Sequence, residues 1–142
     1  MTLVRHLLDR KGRALFSIGP DEPVLEAVRM MAERRVGALL VMRGSELAGI
    51  VSERDYARKV VLLGRSSAET PVAQIMTSSV VTVSPDSSVQ DCMRLMTERH
   101  IRHLPVLEHG GVVGVISIGD LVKAVIEEQQ QTIEQLESYI HS

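Results

Sequence analysis

Gly49-Ile50-Val51-Ser52-Glu53-Arg54-Asp55 is followed 65 positions later by Gly114-Val115-Ile116-Ser117-Ile118-Gly119-Asp120, a second copy of the same pattern. The match runs without a gap over residues 20–60, where 13 of 41 positions are identical in the two copies. Many of the other positions exchange one apolar residue for another. A supersecondary unit repeated at this period cannot bury its apolar face alone. The sequence therefore predicts two copies that share a core.

Composition limits the class of protein. The chain has 142 residues, which suits one compact domain and is too short for two independent ones. Hydrophobic residues make up 44% and aromatic residues only 2%, so the core must be aliphatic. This aliphatic surplus predicts a further apolar surface that a partner subunit covers. The net charge of −2 removes the electrostatic basis for nonspecific nucleic-acid binding, so we expect no nucleic-acid partner.

The remaining compositional features concern the compartment. The single cysteine, Cys92, excludes an intrachain disulfide framework and fits a reducing environment. The first ten residues lack the continuous apolar region of a signal peptide, and no stretch approaches the ~18–20 apolar residues of a membrane span. We therefore expect a cytoplasmic protein without a membrane partner.

Turn residues and apolar periodicity divide each copy into an extended segment, a helix, two strands and a second helix, an α/β fold. The predicted elements are an extended segment at 15–18, helix 24–34, strands 38–42 and 47–51 and helix 53–63 in the first copy, then an extended segment at 80–83, helix 87–98, strands 103–107 and 112–116 and helix 119–140 in the second. A short helix capped by Thr2 should precede them. The predicted organisation is an N-terminal helix at 1–14, a first repeat at 15–64, a linker with a helical turn at 65–79, a second repeat at 80–128 and a helix extension at 129–142.

The last helix carries a seam of its own. Its members are spaced 4, 3, 4, 3 and 4 residues apart, namely Val122, Ile126, Gln129, Ile133, Leu136 and Ile140. This is the spacing of a coiled-coil seam with one polar member. One interpretation is that the seam packs on its own domain. The other, which the length of the helix favours, is that a second subunit covers it in a two-fold homodimer.

The polar residues that recur indicate where a ligand binds. Gly49 lies inside an aliphatic strand, where glycine usually marks a bulge or a close approach of another backbone. Ser52 lies at the start of the next helix and Asp55 in its first turn, beside unpaired backbone N–H groups. Such groups suit phosphate, and a carboxylate suits the vicinal hydroxyls of a ribose. The alternative is that Ser52 and Asp55 only cap a helix, and their recurrence as Ser117 and Asp120 counts against it.

Together with Ile75-Met76-Thr77 before the second copy and Ile101-Arg102-His103-Leu104-Pro105-Val106 within it, the repeated pattern resembles a tandem pair of CBS domains (cystathionine beta-synthase domains) of the stand-alone bacterial type. The resemblance covers about residues 15–128. It implies two βαββα repeats related by a pseudo-two-fold axis, with clefts between them that bind an adenine nucleotide such as AMP, ADP, ATP, S-adenosylmethionine or NAD. The implied function is regulatory and non-catalytic, as an energy or redox sensor.

The resemblance also implies which residues bind the nucleotide. Asp55 and Asp120 would accept hydrogen bonds from the ribose hydroxyls, with Ser52 and Ser117 beside the sugar or phosphate. The positions implied for the adenine are Ser17, Ile18, Gly37 and Ala38 in the first copy, and Ser79, Val80, Arg102, His103 and Pro105 in the second. Thr77 and Gly119, within the matched motifs, complete the predicted set.

The two copies are not equivalent. Arg54 and Arg58, in the first copy, are candidates for phosphate binding, although each could equally be a solvated surface charge. The second copy has Ile118 and Gly119 where the first has Glu53 and Arg54. We therefore expect two unequal sites.

Two other functions remain open at this point. One is a protein-interaction scaffold whose ligand sites are degenerate. The other is a nucleotide-processing enzyme, which would need a general base or a metal cluster. Gly114–Gly119 has Val115 where a nucleophile elbow needs glycine, and His100 and His103 lack partners at metal-ligand spacing. We therefore expect no enzyme, no catalytic residue and no metal.

Overall fold

The structure is a computed structural model that describes residues 1–141. Residue 142 of the predicted helix extension lies outside the described residues. The helices are α1 (Val4–Lys11), α2 (Val24–Arg34), α3 (Glu53–Tyr56), α4 (Val89–Arg99) and α5 (Ile118–His141), with a π-helix at Ala57–Val61 and a 3-10 helix at Val72–Gln74. The strands are β1 (Ser17–Ile18), β2 (Ala38–Arg43), β3 (Glu46–Ser52), β4 (His103–Glu108) and β5 (Gly111–Ser117). The predicted α/β class is confirmed.

The chain divides into two compact units. The first-repeat unit is Leu15–Val81, and the second-repeat unit combines Met1–Ala14 with residues 82–141. Helix α1 precedes the first copy in sequence but packs in the second-repeat unit. In the same way, the 3-10 helix precedes the second copy but packs in the first-repeat unit. Each copy is therefore completed by the helical segment that stands before the other copy in the chain.

The first-repeat unit is built on a three-stranded sheet in the order β1-β2-β3. β1 runs parallel to β2, and β2 pairs antiparallel with β3 so that Ala38 lies opposite Ser52. The hairpin turn uses Gly44 at φ +63°, a backbone conformation that glycine adopts without steric cost. Helix α2 turns Val24, Ala27 and Met31 towards the sheet. The buried core of this unit is Ile18, Val24, Ala27, Met31, Leu39, Val41, Val51, Val60, Val72 and Ile75.

The second-repeat unit repeats this plan with a two-stranded sheet. β4 and β5 are antiparallel, and His103 lies opposite Ser117. A single parallel bridge between Val83 and Val106 stands where the first unit has β1, so the extended segment predicted at 80–83 forms no full strand. α4 buries Val89, Cys92 and Met96. α1 buries Val4, Leu7 and Leu8, and a Cβ placed on Gly114 would lie only 2.5 Å from Cδ2 of Leu8.

One predicted helix cap was wrong, and one predicted helix changes type along its length. The N-cap of α1 is Leu3, because Thr2 turns to α5 and its N–H donates to Oε1 of Glu128 at 2.8 Å. The helix predicted at 53–63 is an α-helix only to Tyr56 and continues as a π-helix to Val61. Turn residues follow the π-helix, and Gly64 lies among them with φ +66°.

The first interpretation of the α5 seam was also wrong. The side chains that α5 buries are Leu121 and Ala124, which are not seam residues. Val122, Ile126, Ile133, Leu136 and Ile140 are all exposed on the described chain. The seam therefore does not pack on its own domain.

Candidate functional site

In the first-repeat unit, Ser52 and Asp55 form a closed pair where β3 ends and α3 begins. The Asp55 N–H donates to Ser52 Oγ at 3.2 Å, and Asp55 Oδ2 accepts from the Ser52 N–H at 3.0 Å and from its hydroxyl at 3.1 Å. This is a reciprocal capping arrangement that satisfies two backbone donors of a helix start. The helix-capping role is therefore real, and any ligand must use the acceptor capacity that remains on the carboxylate.

A lysine completes this pair. Nζ of Lys59 lies 3.2 Å from Asp55 Oδ1 and donates to the carbonyl oxygen of Ile75 at 2.9 Å. The ammonium thus joins the motif carboxylate to the segment that follows the 3-10 helix. The Asp55 side chain is only 15% exposed, so it is largely withdrawn from solvent where the lysine meets it.

The second-repeat unit has the same arrangement at Ser117 and Asp120. Asp120 Oδ2 accepts from the Ser117 N–H at 2.8 Å, and the Asp120 N–H donates to Ser117 Oγ at 3.2 Å. Here the ammonium comes from α1, because Nζ of Lys11 donates to Asp120 Oδ2 at 2.5 Å and to the carbonyl oxygen of Val115 at 2.7 Å. Position 124, the counterpart of Lys59, is alanine.

Both units therefore share a constellation that we call the lysine-bridged motif: Ser52, Asp55 and Lys59 in the first unit, and Ser117, Asp120 and Lys11 in the second. In each, one ammonium joins the motif carboxylate to a backbone carbonyl. The lysines come from different elements and do not correspond in the repeat. The same local chemistry is thus reached by two routes.

The charges around Asp120 set its protonation and that of His103. Burial alone would raise the pKa of Asp120, but hydrogen bonds from Lys11 and from the Ser117 backbone outweigh it, and the pKa is lowered from 3.8. Burial lowers the pKa of His103 below 6.5, and the nearby Lys11 cation lowers it further. At neutral pH the site therefore holds an ionised carboxylate beside a neutral imidazole.

Several predicted residues lie next to these motifs through strand pairing. Ala38 is the register partner of Ser52, and the carbonyl of Gly37 accepts from the Glu53 N–H at 3.0 Å. In the second unit, His103 is the partner of Ser117 and the Arg102 carbonyl accepts from the Ile118 N–H at 2.9 Å. The structure therefore places the start of the first hairpin strand beside the Ser-x-x-Asp motif in both copies.

The predicted β1 residues lie one strand further along the same sheet. Ser17 and Ile18 are in register with Leu40 and Val41 of β2. Ser17 is exposed, whereas Ile18 is part of the buried core. Of these two residues, only Ser17 has a side chain open to a ligand.

The remaining predicted residues are more scattered. Arg54, Arg58 and Gly119 are exposed, and Pro105 is buried. The sites predicted for phosphate are therefore on the surface of α3 and its π-helical continuation.

Thr77, Ser79 and Val80 all fall in the first-repeat unit, although Ser79 and Val80 were predicted to serve the second copy. Thr77 exchanges two backbone hydrogen bonds with Ile50, at 2.9 and 3.0 Å. Gly49 permits this approach, since a Cβ there would lie 2.7 Å from the Thr77 carbonyl oxygen. The predicted close backbone approach at Gly49 is confirmed.

Sequence reasoning missed both lysines. Lys59 could have been found, because a lysine four residues after an aspartate lies on the same face of a helix. Lys11 gave no such signal, since 109 residues separate it from Asp120. Its role depends on where α1 packs, which the repeat pattern does not reveal.

An open groove of about 620 Å³ lies elsewhere in the second-repeat unit. It is lined by Thr82, Val83, Ser84, Ser87, Asp91, Arg94, Leu95, Glu98 and Leu107. None of these residues belongs to the predicted set. Among residues 1–141, no three or more His, Cys, Asp or Glu side chains are grouped to hold a metal ion.

The sequence model of the CBS domain family matches this chain twice, at residues 7–62 and 72–127. The chain therefore belongs to the CBS domain family and carries two copies of the domain. It is 45% identical over 125 residues to the mitochondrial CBS domain-containing protein CBSX3 of Arabidopsis thaliana, covering 84% of this chain and 61% of that protein. This chain thus spans about three fifths of that protein's length.

Solved structures agree with this assignment. A putative signal-transduction protein with CBS domains from Burkholderia ambifaria MC40-6 is 51% identical, with a TM-score of 0.87 over 90% of this chain and 96% of that one. The CBS domain pair of protein MJ0100, in complex with 5′-methylthioadenosine and S-adenosyl-L-methionine, is 22% identical, with a TM-score of 0.80 over 90% and 98%. At that identity the likeness concerns the fold alone. Within residues 1–141, no helix has both the length and the apolar character needed to cross a membrane.

Proposed function

We propose that this CBS pair is a non-catalytic regulatory module that binds an adenine nucleotide at its lysine-bridged motifs, Ser52, Asp55 and Lys59 in one unit and Ser117, Asp120 and Lys11 in the other. The observation that supports the proposal is that a lysine contacts the motif aspartate in both units, although the two lysines come from different elements. A cap needs only the serine and aspartate. A lysine brought to each carboxylate from unrelated elements has no role in capping and suits an anionic ligand.

The chemistry of the motif fits a ribonucleotide. An ionised carboxylate accepts hydrogen bonds from two vicinal hydroxyls, and the depressed pKa of Asp120 keeps it ionised at neutral pH. The ammonium beside it can hold a phosphate once the ribose takes its place on the carboxylate. The family member MJ0100, which carries adenosine derivatives, supports an adenosine-type ligand of this kind.

The lysines and a ribose would compete for the oxygens of the motif carboxylates. Lys11 donates to Asp120 Oδ2 and Lys59 faces Asp55 Oδ1, so one oxygen of each carboxylate is occupied by an ammonium. Binding therefore exchanges an ion pair for hydroxyl hydrogen bonds. Because α1 carries Lys11, nucleotide at Asp120 would also release one contact of α1. A partner protein that distinguishes the two states of α1 would then sense the nucleotide.

A second candidate function is a protein-interaction scaffold with degenerate sites. The observation that favours it is that the capping bonds and the lysines already give both oxygens of Asp55, and Oδ2 of Asp120, partners within the chain. Under that alternative, the lysines act as permanent structural counter-ions. The two candidates differ in one measurable property, which is nucleotide affinity.

A thermal-shift screen with AMP, ADP, ATP, NAD and S-adenosylmethionine tests the proposal. A ligand present at 100 times its dissociation constant adds about 2.7 kcal/mol to the free energy of unfolding, which raises the melting temperature by several degrees in a domain of this size. The proposal expects at least one ligand to give such a shift. No shift with any of the five would favour the scaffold.

A control variant tests whether the effect belongs to the motif carboxylate. Asp91 in α4 donates its N–H to Ser88 Oγ at 3.0 Å and pairs with Arg94, so it is another first-turn aspartate beside a capping serine, but it lies outside the motif. Asp120→Asn should abolish or reduce the ligand-induced shift, whereas Asp91→Asn should keep it. Equal loss in both variants would mean that the shift does not depend on the motif carboxylate.

A further inference from the structure

An apolar face of α5 is uncovered along most of the helix. The face is the seam of Val122, Ile126, Gln129, Ile133, Leu136 and Ile140. At 3.6 residues per turn these residues occupy an arc of about 80°. Exposure of the apolar members runs from 42% at Val122 to 74% at Ile140. From Gln129 to His141 every residue of the helix is exposed on the described chain.

The chain's own contacts lie on the other side of the helix. Leu121 and Ala124 are buried, Glu127 pairs with Arg10, and Glu128 accepts from Thr2. These four positions lie about 100–160° around the helix from the centre of the seam. The second-repeat unit therefore occupies one side of α5 and leaves the seam on the opposite side. None of residues 1–141 covers the apolar members of the seam.

We propose that a second copy of this chain covers the seam as an antiparallel two-stranded coiled coil with two-fold symmetry. In this pairing Ile126 packs against the partner's Leu136, Ile140 against the partner's Val122, and Ile133 against the partner's Gln129. All three layers follow from a single alignment of the two helices. A two-fold interface uses the same patch on both subunits, and this seam is self-complementary in that sense.

Charge decides between antiparallel and parallel pairing. Lys123 and Glu137 both flank the seam, at equivalent heptad positions beside Val122 and Leu136. The antiparallel alignment places Lys123 beside the partner's Glu137, and the symmetry repeats the pair. Parallel pairing would instead set Lys123 beside the partner's Ile118 and align the acidic stretch from Glu127 to Glu137 with its own copy. Flanking charges of this kind select orientation in coiled coils.

The helix dipoles act in the same direction, because antiparallel helices place opposite partial charges side by side. The seam from Val122 to Ile140 is about 27 Å long, long enough for several knobs-into-holes layers. This pairing is independent of the nucleotide proposal, since none of its residues belongs to a lysine-bridged motif.

The first experiment measures the mass of the full chain in solution by light scattering and sedimentation velocity. The expected mass is twice the 15.7 kDa of one chain. Ile133→Asp combined with Leu136→Asp should give a mass of 15.7 kDa with an unchanged helical circular dichroism signal. Gln131→Asp, on the outer side of the same helix turn, is the control and should remain dimeric. A monomeric native chain, or a dimer that survives the seam substitutions, would overturn the proposal.

The second experiment tests the orientation. Lys123→Glu and Glu137→Lys should each weaken dimerisation about threefold or more, since each removes a symmetric pair of flanking ion contacts. The combined variant restores the opposite charges and should return the dissociation constant to near the native value. If the combined variant is no better than the single ones, the helices are not antiparallel in this register.

Discussion

The contact between Leu8 and Gly114 provides a direct test of where α1 packs. A Cβ on Gly114 would lie 2.5 Å from Leu8 Cδ2 and 3.1 Å from Cδ1. Carbon atoms in favourable contact are about 3.5–4.0 Å apart, so the added methyl group would have to displace Leu8. Leu8 is only 1% exposed and has little room to move. Over-packing of this kind costs about 1–3 kcal/mol of the free energy of unfolding.

The effect should reverse when Leu8 is shortened. Leu8→Ala alone should cost about 2–5 kcal/mol, because it leaves a cavity in a closed core. In the double variant with Gly114→Ala, the new methyl group enters the vacated space, so the total cost should fall below the sum of the single costs by about 1 kcal/mol or more. Urea denaturation of the native chain, both single variants and the double variant measures the coupling.

Gly111→Ala is the matched control, since it lies in the same strand and its Cβ would meet no atom closer than 3.8 Å. It should change the free energy of unfolding by no more than about 0.5 kcal/mol. Additive costs for Gly114→Ala and Leu8→Ala, within about 0.5 kcal/mol, would refute the packing of α1 on β5.

Two further predictions concern protonation in the second-repeat unit. Because its pKa is lowered on folding, His103 should make the fold less stable as the pH falls below 6.5, by at most about 1.4 kcal/mol per pH unit. Denaturation at pH 7.5 and 5.5 should show a smaller loss of stability for His103→Gln than for the native chain, and an equal loss in both would contradict this prediction. Lys11→Met should raise the pKa of Asp120, since burial then acts with less opposition, and carboxyl-carbon NMR titration measures it. With Lys11 present, the ion pair stabilises the fold above pH 3.8 and its contribution is lost as the pH falls through the lowered pKa; an Asp120 pKa that stays unchanged in Lys11→Met would contradict the contact.

The hairpins and long helices could be predicted from sequence because local chemistry decides them. Aliphatic runs separated by short glycine-containing turns specify β2 with β3 and β4 with β5, and the strands observed extend at most one residue beyond either end of those predicted. The capping pairs Ser52 with Asp55 and Ser117 with Asp120 are equally local, since three residues separate their members. Such features need no knowledge of tertiary packing.

The features that sequence reasoning missed depend on contacts between distant parts of the chain. α1 is separated from β5 by about a hundred residues, and its apolar periodicity does not indicate which copy it packs against. The contact of Lys11 with Asp120 could not be predicted for the same reason. The change from α-helix to π-helix after Tyr56 is a local deviation for which we have no account in the residue pattern.

The proposed binding sites can be tested most directly by calorimetric titration of AMP, ADP, ATP, NAD and S-adenosylmethionine into the native chain and into Asp55→Asn, Asp120→Asn and the double variant. We predict that at least one ligand binds, and that the double variant binds it at least tenfold more weakly, a loss of about 1.4 kcal/mol or more. Asp91→Asn should bind as the native chain does. Native affinity in the double variant, or no heat of binding with any of the five, would contradict the proposed function.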